Sequence, residues 1–73
     1  VFAGADGMGV ITGLIPTIAR LVRPGGKVAI EHDDSTSEAV QAAVARHGGF
    51  KQIAPLQDLT GTPRFVTAVR GVD

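Results

Sequence analysis

Residues 24–31, PGGKVAIE, decide the class of this fold. Pro24, Gly25 and Gly26 stop the preceding element and turn the chain. Lys27–Glu31 then forms a short, almost continuous apolar run. A strand buried on both faces of a mostly parallel sheet reads this way, so the expectation is an α/β protein.

Upstream of that strand, residues 8–22 predict a helix, with Ile11, Leu14, Ile15, Ile18 and Val22 at helical spacing on one apolar face. Asp6 is placed to cap it, its carboxylate accepting free amides of the first turn. Pro16 removes one i→i−4 bond and predicts a kink. Arg20 and Arg23 suit the negative end of the helix. The triplet Val1–Ala3 is too short to read as a strand.

Downstream, Ser35–Glu38 (STSE) is a capping box that opens a helix running to about His47, with Val40, Ala43 and Val44 turned toward the sheet. Gly48 and Gly49 supply its left-handed end, and Phe50 can pack back on the last turn. Lys51–Leu56 reads as a second strand, which Pro55 assigns to a sheet edge because proline donates no ladder bond. Gln57–Pro63 (QDLTGTP) is a turn-rich connector. Arg64–Arg70 (RFVTAVR) alternates as a strand should, and the short link predicts an antiparallel hairpin. The predicted order is helix, strand, helix, strand, strand.

The bulk properties bound the rest. Seventy-three residues make one small domain, and a domain near that size buries only roughly 60% of its unfolded surface. There is no cysteine to form a disulfide or thiolate metal site, which fits a reducing cytoplasm. Seven basic and seven acidic residues are scattered, so no basic patch points to direct nucleic-acid binding. No apolar run approaches the roughly 20 residues of a membrane span. The chain starts at Val1, inside what reads as an element, and the expectation is processing or a piece of a longer protein.

Two stretches carry candidate chemistry. Gly7, Gly9 and Gly13 follow a G-x-G-x-x-x-G spacing, one residue longer than the dinucleotide fingerprint. Glu31 is the acidic residue that such a loop would require at the end of the next strand, while a capped helix start explains the glycines more simply. Glu31, His32, Asp33 and Asp34 crowd the carboxyl end of the strand, where ligands bind in open α/β sheets. Either one of them orients a ligand, or they form a solvated loop into the next helix. One histidine beside adjacent carboxylates lacks the spacing that encloses a metal. His47 suits a helix C-terminus, and Ser35 and Ser37 suit capping, so no nucleophile arrangement emerges.

The element order resembles the C-terminal part of class I methyltransferases that use S-adenosylmethionine, a Rossmann-like sheet whose antiparallel last strand inserts between the two before it. Within that superfamily the chain resembles the release-factor glutamine methyltransferases, the HemK/PrmC family, from Phe2 to Arg70. Three segments carry the likeness: Gly4-Ala5-Asp6-Gly7-Met8, similar to G-G-x-D-G-L; Leu21–His32 (LVRPGGKVAIEH), similar to L-x-P-G-G-x-L-x-x-E-x; and Asp58–Arg64 (DLTGTPR), similar to D-L-x-G-x-x-R.

The resemblance implies methyl transfer from S-adenosylmethionine to the side-chain amide of a glutamine, in the Gly-Gly-Gln motif of a peptide chain release factor in the cytoplasm. Residues 1–73 would be the last part of one methyltransferase domain. The family's G-x-G-x-G cofactor loop and Asn-Pro-Pro-Tyr amide clamp do not occur in these residues, which implies inactivity alone and gives no catalytic, cofactor-binding or metal-ligating residue to carry over. Asp6, Gly7, Glu31, Asp58, Gly61 and Arg64 match the family pattern and are expected to support the substrate side of the site. Asp58 and Arg64 are expected to pair across the hairpin turn. Strand Lys27–Glu31 is expected to expose an edge. The alternatives are another class I methyltransferase, acting on nucleic acid or a small molecule, and a non-catalytic α/β interaction module.

Overall fold

The computed structural model describes residues 2–4, 8–33 and 37–71. Its elements are β1 (Phe2–Gly4), α1 (Met8–Leu21), β2 (Lys27–Glu31), α2 (Ser37–His47), β3 (Phe50–Gln57) and β4 (Pro63–Arg70). The strands form one sheet in the order β1-β2-β4-β3. β1 runs parallel to β2, whereas β4 is antiparallel to both β2 and β3. The predicted hairpin is present, and the last strand lies between the two before it.

β1 corrects the sequence reading at two points. Three residues are too few to show a period of two, yet Phe2, Ala3 and Gly4 pair with Ala29, Ile30 and Glu31. The edge of β2 is therefore occupied at those positions, where an open edge was expected.

The core explains the rest of the layering. Val28, Ile30, Val66 and Ala68 share one face of the sheet and pack with Ile11, Ile15, Ile18 and Val22 of α1 and its end, and with Val40 and Val44 of α2. Both helices thus cover the same face. β2 alternates, with Val28 and Ile30 buried and Lys27 and Glu31 exposed, instead of being buried on both faces. An open depression of about 550 Å³ lies along the strands where Ala29, Gln52, Thr67 and Val69 meet. Ala29, the small residue of that apolar run, is half-buried and lines this depression.

Local chemistry sets the element ends. α1 continues unbroken through Pro16. Thr12 and Pro16 are both exposed, so the carbonyl that proline leaves without its helical donor is on the solvent side. Gly25, at φ 84°, makes the turn before β2, and the amides of Gly25 and Arg70 bond to the carbonyls of Arg70 and Gly26. Gly48 and Gly49, both at φ 81°, end α2. Phe50 then packs against His47, ring centroids 6.0 Å apart. The proposed caps Asp6 and Ser35 lie outside the described residues, as does Asp34; α2 begins at Ser37, whose Oγ accepts from Gln41 Nε2.

β3 is an edge strand, as Pro55 requires, and its pairing with β4 is irregular between Lys51 and Ala54. Gln52 occupies the left-handed region there, at φ 55°. Arg70 fastens the opposite end of the sheet. Its Nε donates to Ala19 O and its Nη1 to Gly49 O, both at 2.9 Å, while the guanidinium lies 5.9 Å from the centre of the Phe50 ring.

Candidate functional site

The carboxyl end of β2 gathers four of the six candidates. Glu31 closes β2 and pairs with Phe65 of β4 and Gly4 of β1. The next residue, His32, donates its main-chain N–H to Arg64 O at 2.9 Å, which extends the ladder one step beyond the strand. Arg64 in turn donates from Nε to Asp58 Oδ2 at 3.1 Å, the pairing expected across the hairpin turn. Gly61 completes that turn. Asp6 and Gly7 lie outside the described residues.

The Asp58–Pro63 turn is built around one carboxylate. Asp58 Oδ1 accepts from the Thr60 amide at 2.9 Å, the Thr60 hydroxyl at 2.6 Å and the Thr62 amide at 3.1 Å. Main-chain bonds Asp58 N→Thr62 O and Gly61 N→Asp58 O close the same loop. Aspartate first and glycine fourth are the residues such a turn favours, and Gly61 takes the required positive φ of 85°. These donors, chiefly the Thr60 hydroxyl and then the Thr62 amide, with the Thr60 amide and Arg64 adding less, lower the Asp58 pKa from 3.8 to about 2.

So strongly acidic a group is a poor proton acceptor at neutral pH. Asp58 therefore acts as a fixed anchor for the loop, and Arg64 as its counter-ion. This arrangement positions backbone.

The loop also presents an unexpected side chain. Leu59 is fully exposed at 107% of its reference area, directly beside the anchored Asp58. Sequence reasoning passed over it as part of a family pattern. The signal was there, since an apolar residue at the second position of a D-x-x-G turn has no core to face.

His32 differs from the sequence reading in the other direction. Of the polar cluster Glu31–Asp34, Glu31 and Asp33 are exposed but His32 is only 4% exposed. Val28, Ile30 and His32 share one parity, so the alternation of β2 carries the imidazole to the helix-covered face. Its Nδ1 contacts the Asp33 carbonyl. The picture of a wholly solvated loop fails at this residue.

The glycine-loop reading finds no support in α1. Gly9 and Gly13 are residues of that helix, exposed and with open space around them, and Gly13 lies a full turn inside it. Among the described residues, no group of three or more His, Asp or Glu is placed to hold a metal ion. Among the described residues, no helix is long and apolar enough to cross a membrane.

Comparison with known proteins supplies the remaining context. The chain is 56% identical over 68 residues to the release factor glutamine methyltransferase of Corynebacterium glutamicum, covering 93% of the chain and 24% of that protein. It is 49% identical over 69 residues to the protein of the same name from Mycolicibacterium smegmatis, and 42% identical over 67 residues to that from Streptomyces coelicolor. The chain spans about a quarter of the length of these relatives. No family model and no solved structure matches it.

Proposed function

We propose, from the premise that this chain is a relative of release factor glutamine methyltransferases across the quarter of their length it spans, that it forms the sheet-completing part of such an enzyme. In this reading the domain is a class I methyltransferase of Rossmann-like architecture. It acts in the cytoplasm, in translation termination, on the glutamine amide of the Gly-Gly-Gln motif of a peptide chain release factor. The single observation that carries the reading is the 56% identity extending over 93% of the chain. The placement of Glu31, Asp58, Gly61 and Arg64 at one end of the sheet supports it, because open α/β sheets bind ligands outside their strands' carboxyl ends.

The chemical difficulty is the nucleophile. An amide nitrogen shares its lone pair with the carbonyl, so transfer depends on holding the nitrogen in line with the methyl group. S-adenosylmethionine supplies an electrophilic sulfonium methyl when bound. No catalytic step is assigned to the described residues. Their contribution is positional. β2 and β4 bring Glu31 and Arg64 to one end of the sheet, and the Asp58–Arg64 pair fixes the loop there.

A chimera tests the reading. Residues 2–70 would replace the matching segment of the Corynebacterium glutamicum relative, and transfer of a labelled methyl group to a release factor would be followed. The expected result is transfer to the glutamine of Gly-Gly-Gln. A folded chimera that transfers nothing to any release factor overturns it.

A further inference from the structure

The two histidines of this chain make the same contact in opposite surroundings. At the end of α2, the exposed His47 places Nδ1 2.8 Å from the carbonyl oxygen of Gly48, the next residue. One residue past β2, His32 places Nδ1 against the carbonyl oxygen of Asp33, again the next residue, but this ring is only 4% exposed. A carbonyl oxygen only accepts, so in each contact Nδ1 must carry the hydrogen. At His47 water competes for both groups, and the bond contributes little. At His32, whose Nε2 is also buried, water reaches little of the ring, and breaking the bond would strand a buried donor.

The buried contact sits where β2 ends. Glu31 closes the strand, and the His32 amide adds one more bond, to Arg64 O at 2.9 Å. Beyond that point the chain leaves the sheet toward α2, and Asp33 is exposed. The imidazole shares the buried parity of Val28 and Ile30 and reaches forward to the next peptide. It therefore ties the first exposed residue outside the strand to the core. Additional polypeptide around this segment would cover the ring more, not less, so its burial does not depend on how much of the relatives' length the chain spans.

We infer that His32 is a positioning residue, fixed as the Nδ1–H tautomer, which clamps the Asp33 carbonyl and so sets the direction in which the chain leaves β2. Open α/β sheets bind their ligands outside the carboxyl ends of the strands, and this gives the exit direction its weight in methyl transfer. His32 acts through the main chain of Asp33 and touches neither the methyl donor nor the glutamine. Its effect on transfer rests on the functional reading above. The clamp itself does not.

The test uses the chimera with the Corynebacterium glutamicum relative, its histidines labelled with nitrogen-15, as the parent and as His32→Asn and His32→Leu. Asparagine keeps an N–H donor at the same distance along the side chain, whereas leucine fills the space with no donor. In the parent at about pH 9, where free imidazole is neutral, Nδ1 of His32 is expected to resonate as a hydrogen-bearing nitrogen, while His47 averages between its tautomers. A bare or averaged Nδ1 at His32 overturns the clamp. His32→Leu is expected to lower kcat at least about tenfold with an unchanged unfolding midpoint, and His32→Asn to keep kcat within about threefold of the parent. A His32→Leu chimera as active as the parent overturns the positioning role. So does a His32→Asn chimera that folds or transfers no better than His32→Leu. A parent chimera that transfers no methyl group overturns the functional reading, while its nitrogen spectrum still decides the clamp.

Discussion

Arg64 Nε stands 3.1 Å from Asp58 Oδ2, across a turn in which the other oxygen of the same carboxylate accepts three further hydrogen bonds. The ion pair is therefore the outermost support of a loop that is mainly held by its own threonines. Exposed pairs of this type contribute little alone, on the order of 0–1 kcal/mol, so the local donors decide how rigid the turn is.

Thr60→Val is accordingly expected to raise the Asp58 pKa from about 2 toward 3.8 more than Arg64→Gln does, because the Thr60 hydroxyl is the largest cause of the shift and Arg64 the smallest. Carboxyl resonances followed by NMR over an acid titration check this. A larger rise in Arg64→Gln would contradict it.

The same group sets an acid limb. Its folded pKa is depressed, so its contribution to stability is complete above about 3.8 and disappears as pH falls through about 2. Asp58→Asn is expected to flatten the pH dependence of unfolding across that window while leaving the dependence above pH 5 as it is. Unfolding monitored by circular dichroism at stepped pH measures both.

Glycines in this chain divide into two kinds with opposite expected effects. Gly9 and Gly13 lie in α1 with open space around them, so Gly9→Ala and Gly13→Ala are expected to stabilise by about 0.5–1 kcal/mol each. At Gly26 a Cβ would stand 2.6 Å from Val22 Cγ1 and 2.9 Å from Arg23 O. Gly26→Ala is expected to destabilise by about 1–3 kcal/mol, since backbone must move. Urea unfolding of the three variants separates the cases.

Arg70 bridges two carbonyls from different elements and lies against Phe50. Lysine cannot reproduce the fork. Arg70→Lys is expected to cost about 1–2 kcal/mol and to speed amide exchange at the end of α1 and the start of β3. Hydrogen exchange by NMR locates the effect, and a loss spread evenly over the sheet would argue against the bridge.

Much of the fold was legible in the sequence because its signals are local. The Pro-Gly-Gly turn, the alternation of Phe65–Val69, the edge position demanded by Pro55 and the glycine end of α2 each depend on a few adjacent residues. What escaped was non-local. β1 becomes a strand only through pairing with β2, and the alternating burial of β2 follows from α1 and α2 packing against the same residues of the sheet. At the candidate site, the D-x-x-G-x-x-R spacing anticipated the Asp58–Arg64 pair. The burial of His32 required knowing that β2 continues its alternation beyond Glu31.

The central position of β4 also has a consequence for biosynthesis. β2 and β3 are both made before the strand that joins them, and Val66 and Ala68, which complete the shared core, emerge last of the core residues. At roughly 5–20 residues per second, the ribosome leaves a gap of about a second between finishing β3 and delivering β4. During that interval both neighbours have an unpaired edge, and closure of the sheet waits for the end of the hairpin.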